Sequence, residues 1–292
     1  MNFTSKSLAS VTIWYNPDIE MVENVNSYSG QVEKVIIVDN SLKDNSNLFN
    51  QIRSDNKIYI TNTGNVGIAT ALNQGLNLLI NDNYNFALTM DQDSYFETEQ
   101  IDKLILSAKT IVWENVCFIA SIPTSVDDNN LIGENQLEFK PTLGAITSGN
   151  IVNLAAAKKI GLFKDELFID HVDHEFGLRA HMNNYKMFYT TAFLRHKLGL
   201  RKNVILFNKK IFSFTSHPPV RSYYAIRNGL YLYKTYGSQH PSSFRKKCIV
   251  MLVREAAKAF FEDRKLERFS LVYKAFIDYK RNKLGEYKNY AN

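Results

Sequence analysis

The stretch Phe86-Ala87-Leu88-Thr89-Met90-Asp91-Gln92-Asp93-Ser94 is an apolar run that ends in two carboxylates and a hydroxyl. An α/β protein can build a divalent-cation site by letting a buried strand deliver such groups to one edge of its sheet. Hard cations such as Mg²⁺ and Mn²⁺ take oxygen ligands and leave coordination positions open for substrate phosphates. The stretch therefore predicts that Asp91 and Asp93 hold Mg²⁺ or Mn²⁺ in an enzyme acting on a nucleotide or a sugar nucleotide.

A competing interpretation makes Asp91 a nucleophile, as in phosphatases that carry Asp-x-Asp after a strand. That motif usually opens its domain, whereas three predicted strand-helix units precede Asp91 here. The two carboxylates would also repel each other without a cation between them. Both arguments favour the metal interpretation.

Strand and helix patterns alternate outward from this stretch. Apolar, β-branched runs predict strands at Ala9–Trp14, Val35–Val38, Ile58–Ile60, Phe86–Met90, Val116–Ile122 and Met187–Thr190. Helical spacing predicts helices at Ile19–Ser29, Ser46–Ser54, Gly67–Ile80, Glu99–Val112 and Leu154–Ile160. The alternation is typical of an α/β fold with a mostly parallel sheet and helices on both faces. Ligands should gather at the carboxyl ends of its strands.

The 292 residues fit one large α/β domain with an appendage. The predicted catalytic domain covers 1–215, with a nucleotide-binding half at about 1–122 and an acceptor half at about 143–215. An excursion loop over 123–142 separates the halves. From Val220 onward apolar residues recur at helical spacing, which predicts a basic, amphipathic helical region over 216–292.

Charge is divided unequally along the chain. Residues 1–200 hold 15 Lys+Arg and 23 Asp+Glu, net −8, whereas residues 201–292 hold 20 and 6, net +14. The acidic part suits a cation site. The basic, aromatic part suits an anionic surface such as phospholipid or a polyanionic acceptor, unless it is only the solvated face of ordinary helices. No nucleic-acid partner is expected.

Several protein classes are excluded by the sequence. Two cysteines, Cys117 and Cys248, make neither a disulfide framework nor a thiolate metal site, which fits a reducing cytoplasm. No secretory signal and no run of ~18 apolar residues is present, so we expect a protein that neither spans the bilayer nor is exported by that route. The glycines of Asn65–Gly75 form neither the dinucleotide fingerprint nor a P-loop, although this helix start could face a phosphate.

Further acids and a histidine are candidates for chemistry. Asp170, Asp173 and Glu175 lie within six residues, and Asp170 and Asp173 would share a face if the segment were helical. A carboxylate there could take the proton of a sugar hydroxyl, although acids are also common at helix starts. His196 follows a predicted strand and could complete a coordination shell or be structural. Asp39 could bind a base or ribose, or simply form a turn.

Taken in order, these motifs resemble the inverting GT-A glycosyltransferases of family 2, and most closely their bacterial rhamnosyltransferase branch. The resemblance runs from about Val11 to Gly237. It is carried by Trp14-Tyr15-Asn16-Pro17, Ile37-Val38-Asp39-Asn40-Ser41, Asn65-Val66-Gly67-Ile68-Ala69, Ala71-Leu72-Asn73-Gln74-Gly75, Met90-Asp91-Gln92-Asp93-Ser94, Ser148-Gly149, Phe168-Ile169-Asp170-His171-Val172-Asp173-His174-Glu175, His196-Lys197-Leu198-Gly199 and Arg221-Ser222-Tyr223-Tyr224-Ala225-Ile226-Arg227-Asn228.

The resemblance implies a role for each matching residue. Asp39 would hold the nucleoside, Asp91 and Asp93 the metal on the diphosphate, and His196 the metal or the diphosphate. Asp173 would be the base, with Asp170 as the alternative because Val172 replaces the family's glutamate. Further substrate contacts are expected from Tyr15, Asn16, Asn65, Gly67, Asn73, Gln92, Ser148, Gly149, Glu175 and Arg179. Arg221, Arg227 and the cluster Arg245-Lys246-Lys247 would meet acceptor phosphates or lipid head groups.

The resemblance also implies an activity. The expected enzyme transfers L-rhamnose from dTDP-β-L-rhamnose, with Mg²⁺ or Mn²⁺, to a lipid-linked oligosaccharide in O-antigen or capsule synthesis. It would work in the cytoplasm, peripherally on the inner face of the cell membrane, with homo-oligomer formation left open. Alternatives are transfer from UDP-hexose or UDP-galactofuranose, an Asp-x-Asp phosphatase, and a non-catalytic sugar-nucleotide sensor.

Overall fold

The computed structural model describes residues 3, 7–125, 137–197, 201–206, 209–238 and 242–288. Asp127–Asn130 of the expected excursion loop and Leu198-Gly199 of the His196 motif lie outside these ranges. The described chain forms two compact units. The first comprises residues up to Lys164 together with Asp173–Lys197, and the second comprises Asp165–Val172 and the residues from Arg201 onward.

A nine-stranded sheet forms the centre of the first unit. Its strands are β1 (Leu8–Trp14), β2 (Lys34–Asp39), β3 (Lys57–Thr61), β4 (Phe86–Asp91), β5 (Ser94–Tyr95), β6 (Val116–Ser125), β7 (Lys140–Pro141), β8 (Asn150–Asn153) and β9 (Lys186–His196). The order is β3-β2-β1-β4-β8-β6-β9-β5, with β7 beside β9. The first four strands of this order are parallel, as predicted, and their carboxyl ends share one edge.

Helices cover both faces of this sheet. They are α1 (Ile19–Ser29), α2 (Ser46–Phe49), α3 (Ile68–Asn81), α4 (Thr98–Thr110), α5 (Leu154–Ile160) and α6 (Val172–Met182). The Thr12 hydroxyl lies 2.6 Å from the Tyr28 hydroxyl of α1. Val11 points to the opposite face, because side chains alternate along a strand. There it packs so closely on α3 that a Cβ added at Gly75 would lie 2.4 Å from its Cγ1.

The sequence does not predict β8, which runs antiparallel between β4 and β6. This strand has four residues, with asparagines at both ends, so its apolar run is too short to show a period. Asn150 pairs with Thr89, and β8 therefore brings the preceding Ser148 and Gly149 to the carboxyl end of β4.

Element ends also differ from the expectations. The helix expected to reach Ser54 ends at Phe49, and the strand expected at Met187–Thr190 continues to His196. His196 is therefore the last residue of β9 and does not lie beyond the strand.

The second unit contains a hairpin and three helices. These elements are β10 (Arg201–Leu206), β11 (Lys209–Thr215), α7 (Pro219–Tyr236), α8 (Ser242–Phe261) and α9 (Lys265–Lys280). Tyr223, Ile226 and Leu271 contribute to its apolar core. The expected division at residue 215 places the hairpin with the catalytic domain, whereas the hairpin and Asp165–Val172 belong to this unit. Within the described ranges, no helix combines the length and apolarity needed to cross a bilayer.

Candidate active site

Asp91, Asp93 and His196 converge at the carboxyl end of β4. One ligand atom from each lies within 4.8 Å of the others, and Asp93 Oδ1 is 3.5 Å from His196 Nδ1. Two carboxylate oxygens and an imidazole nitrogen are a donor set that fits Mg²⁺ or Mn²⁺. The three residues predicted to bind a metal are therefore brought together, and their chemistry fits such an ion.

Strand pairing explains why His196 reaches this place. Ser94 of β5 pairs with His196 of β9 in antiparallel register. The Ser94 hydroxyl lies 2.8 Å from His196 Nδ1, and the amide of Lys197 donates to the carbonyl of Asp93. Ser94 and His196 are 102 positions apart in the chain, and their pairing places the histidine beside Asp93.

The cluster carries unbalanced negative charge. Burial and the neighbouring Asp93 raise the pKa of Asp91 to about 6, and the charge of Asp173 adds to this effect. A bound cation would relieve the repulsion, because opposite charge favours the ionised form of a carboxyl group. The effect of Asp173 also means that this carboxylate belongs to the same electrostatic site.

Ser148 and Gly149 support the backbone of β4 beside Asp91. The Asp91 amide donates to Ser148 Oγ at 3.0 Å, and the Gly149 amide donates to the Thr89 carbonyl at 2.8 Å. Gly149 has φ +75°, and a Cβ there would lie 2.9 Å from the Leu194 side chain. The left-handed backbone and the close Leu194 side chain both favour glycine at this position. The expected substrate contact of the two residues stays a prediction.

Gln92, between Asp91 and Asp93, binds the loop after β1. Its Oε1 accepts from the Tyr15 amide at 2.6 Å, and its Nε2 donates to the Tyr15 carbonyl. The Asn16 amide donates to Ser41 Oγ at 2.7 Å, so Ser41 links the loops that follow β1 and β2. Tyr15 and Asn16 remain exposed and available to a ligand.

Asp39 lies at 0% exposure and accepts three hydrogen bonds. The donors are the Ser41 amide, the Asn45 side-chain amide and the Tyr59 hydroxyl, at 2.7 to 2.8 Å. This carboxylate therefore orders its own loop, and its contact with a nucleoside stays a prediction.

Asn65 and Gly67 shape the start of α3. The Gly67 amide donates to Asn65 Oδ1 at 2.9 Å, and Gly67 has φ +90°. Asn65 is exposed, whereas Gly67 is buried. The predicted ligand contacts of this loop are not tested by these bonds.

Three residues expected to contact substrate form hydrogen bonds within the first unit. Asn73 exchanges two hydrogen bonds with the backbone of Phe163, at 2.7 and 3.0 Å. Arg179 forms a bidentate pair with the fully buried Glu175, and it also donates to backbone carbonyls of residues 160–162. Asn73, Glu175 and Arg179 thus make structural bonds within the first unit, and their expected contact with substrate stays a prediction.

Asp173 lies in the first turn of α6 and is mostly buried. Its Oδ1 accepts from the His174 amide at 2.7 Å and lies 2.9 Å from His174 Nδ1. Burial raises the pKa of Tyr189 on β9, and the charge of Asp173 raises it further. The sequence gives no signal for Tyr189, because only the sheet brings it near Asp173.

Asp170 differs from Asp173 in its surroundings. It precedes α6 with φ +63°, so the segment is not helical at Asp170 and the two acids do not share a helical face. Arg221 holds it by a bidentate pair, Nε to Oδ2 at 2.8 Å and Nη2 to Oδ1 at 2.5 Å. The charge of Asp170 is thus balanced within the second unit.

Arg227 corrects another expectation. It lies at 0% exposure, donates to the Gly285 carbonyl at 2.6 Å, and stacks over the rings of Tyr223 and Tyr224. A guanidinium in this position cannot meet lipid head groups at the surface. Its role is to hold the second unit together.

Known proteins resemble this chain in sequence and in structure. The model of "Glycosyl transferase family 2" matches residues 19–171, just over half of the chain. The dTDP-rhamnosyl transferase RfbF of Shigella flexneri is 27% identical over 248 residues, covering 78% of this chain and 80% of RfbF. TarS 1–349 of S. aureus, in complex with UDP-GlcNAc, superposes with a TM-score of 0.60 at 13% identity, covering 94% of this chain and 81% of that one. A longer TarS chain gives a TM-score of 0.55 at 15% identity, and this chain spans 48% of its length. The structural likeness confirms the predicted fold class.

We expect Mn²⁺ to raise the Tm of the protein, and to raise it more at neutral pH than well below pH 6. Above its pKa of about 6 Asp91 is charged and can bind a cation, whereas below it a proton competes for the same oxygen. At a free Mn²⁺ concentration of roughly 100 Kd, binding would add about 2.7 kcal/mol of stability. Thermal unfolding with and without Mn²⁺ across this pH range measures the effect.

Asp93→Asn should lose most of this stabilisation. Asp55→Asn, which changes an exposed aspartate elsewhere in the first unit, should keep it. Equal stabilisation of Asp93→Asn and the unaltered protein would show that the ion binds elsewhere.

Proposed function

The chain belongs to glycosyl transferase family 2, and we propose that it transfers L-rhamnose from dTDP-β-L-rhamnose, with inversion, to a hydroxyl of a lipid-linked oligosaccharide. The observation that carries this proposal is the convergence of Asp91, Asp93 and His196 in one unit with the carboxylate of Asp173. The similarity to a dTDP-rhamnosyl transferase supports the donor. Family membership argues against the phosphatase interpretation.

The carboxyl edge of the sheet would bind the donor. Asp91, Asp93 and His196 would hold Mg²⁺ or Mn²⁺, which when bound neutralises charge on the departing diphosphate. Gln92 and Ser41 fix the loop of Tyr15 and Asn16 beside this position through backbone hydrogen bonds. The loop could then contact the nucleotide without reorganisation.

Asp173 would act as the base. As the acceptor oxygen bonds to the anomeric carbon, the bond from that carbon to the phosphate oxygen breaks, and the hydroxyl proton passes to Asp173. Attack from the face opposite the leaving group turns the β-linked donor into an α-L-rhamnoside. Asp170 is the weaker candidate, because Arg221 engages both of its carboxylate oxygens.

Incubation with a panel of nucleotide-sugars and Mn²⁺ tests this activity. We expect free dTDP to be released from dTDP-β-L-rhamnose faster than the corresponding nucleoside diphosphate from UDP-glucose, UDP-galactofuranose or UDP-GlcNAc. Faster release from a UDP-sugar would correct the donor. Binding without any release would favour the sensor interpretation, and release of inorganic phosphate from small esters would favour the phosphatase.

Replacing Asp173 separates the two candidate bases. Asp173→Asn should lower kcat by about 10²–10⁴-fold, the usual contribution of a general base, while donor binding persists. Asp170→Asn should reduce kcat less. It should also leave unchanged the fall in rate at low pH that protonation of the base causes. Near-normal transfer by Asp173→Asn together with inactive Asp170→Asn would reverse the assignment.

We also propose that the second unit attaches the enzyme to the inner face of the cell membrane in the cytoplasm. Leu266, Phe269, Tyr273 and Phe276 are exposed on α9 at spacings of three and four residues, which places them on one face. A second exposed apolar row on α8 comprises Ile249, Val253 and Phe260, and the rings of Phe260 and Phe269 are 4.7 Å apart. We call these two rows the apolar surface.

The charges around the apolar surface match an anionic partner. The exposed basic residues described on 242–288 are Arg245, Lys246, Arg254, Arg264, Lys265, Lys280, Arg281, Lys283 and Lys288, against the exposed acids Asp263 and Glu286. Apolar side chains among Lys and Arg are typical of surfaces that insert at the lipid interface. A second copy of this chain would meet the same excess of positive charge, which disfavours a homo-oligomer through this surface.

Flotation with vesicles tests the attachment. Binding should require anionic lipid, weaken with rising salt, and fall for Leu266→Ser/Tyr273→Ser. The control Leu42→Ser, at an exposed leucine of the first unit, should bind like the unaltered protein. Flotation that ignores salt and anionic lipid would overturn the proposal, and a concentration-dependent dimer lost in Leu266→Ser/Tyr273→Ser would assign the surface to a second copy.

A further inference from the structure

The chain directly before Asp173 has an unusual backbone. Phe168, Asp170 and His171 have φ values of +63° to +64°, the left-handed region that residues other than glycine rarely occupy. Such residues persist only where the surrounding structure fixes them, and they concentrate at functional sites. We call residues 166–171 the leading segment, because α6 and its Asp173 follow at once.

Asn228 of α7 binds the leading segment by its backbone. Its Nδ2 lies 2.9 Å from each of three carbonyl oxygens, those of Leu167, Ile169 and Asp170. A side-chain amide has two hydrogens, so the three acceptors share them. One buried side chain thus meets carbonyls from both sides of the left-handed Phe168.

Arg227 fixes the orientation of this amide. Its Nε donates to Asn228 Oδ1 at 2.9 Å, which leaves the Nδ2 end facing the carbonyls. The Nη2 of Arg227 also lies 3.3 Å from the carbonyls of Glu166 and Leu167. The pair Arg227-Asn228 therefore acts as one rigid donor group.

Other α7 residues hold the side chains of the leading segment. Arg221 binds the carboxylate of Asp170, and His171 Nε2 lies 3.1 Å from the carbonyl of Ala225. The rings of Phe168 and Tyr224 stack at 5.2 Å. Each left-handed residue is thus held through its side chain by a different residue of α7.

We infer that Asn228 and Arg221 are positioning residues for sugar transfer: they fix the leading segment and thereby the point at which α6 starts with Asp173 in its first turn. The inference rests on the proposed function, in which Asp173 is the base. A displacement of about 1 Å in a reacting group can reduce the rate about 10²-fold. A role for these residues in stability alone would leave the chemistry of properly folded enzyme unchanged.

The test compares Asn228→Ala with Asp278→Ala in the full chain. Asp278 is also buried in the second unit, where it bonds to Tyr223 and Lys274, and the structure records no bond from it to the leading segment. Asn228→Ala should lower kcat about 10²-fold with an unchanged KM for the donor, whereas Asp278→Ala should lower Tm with little effect on kcat. Arg221→Lys, which keeps the charge, should recover much of the kcat lost in Arg221→Ala.

Hydrogen exchange supplies a readout that does not need activity. Asn228→Ala should speed exchange of the amides of residues 169–176, and Asp278→Ala should not. If exchange and kcat respond alike in the two variants, or if Asn228→Ala keeps its kcat, the inference is wrong. Absence of transfer by the unaltered protein would instead refute the proposed function, while the exchange result would still decide whether Asn228 holds the segment.

Discussion

Two carboxylates at the end of one strand impose the constraint on which this site depends. Asp91 and Asp93 repel each other, and burial of Asp91 prevents water from screening the repulsion fully. His196 is brought across from β9 to the same point, so three potential ligand atoms meet there in a donor set that fits a divalent cation. The Ser148 and Gln92 side chains and the Gly149 amide bind the surrounding backbone and hold the carboxylates in place against this repulsion.

Local patterns predict the parallel half of the sheet and the residues at its edge. β1, β2 and β4 are recognisable because both faces are covered, which makes them nearly continuous apolar runs. Asp91 and Asp93 follow such a run directly, so their place needs no long-range information. Local patterns do not predict β8. Its four residues carry no period of their own, and the strand is defined by its pairing with β4 and β6.

The sequence cannot separate polar residues that face a ligand from those that hold a loop. Asn73, Glu175 and Arg179 lie in motifs, yet their bonds go to the backbone near residue 160 or to one another. Arg227 and Arg221 belong to one helix, but the first is buried under carbonyls while the second pairs with Asp170. Only the partners of these groups, which come from distant parts of the chain, reveal the difference.

The assignment of Asp165–Val172 to the second unit limits how the architecture can be rearranged. The chain leaves the sheet-containing unit after Lys164, takes up partners on α7, and re-enters that unit at Asp173. A chimera with an unrelated helical module after residue 197 would keep Asp91, Asp93, Asp173 and His196. It would lack the Asn228 side chain that binds the carbonyls of Leu167, Ile169 and Asp170. The two units are therefore expected to be inherited together and not exchanged by recombination.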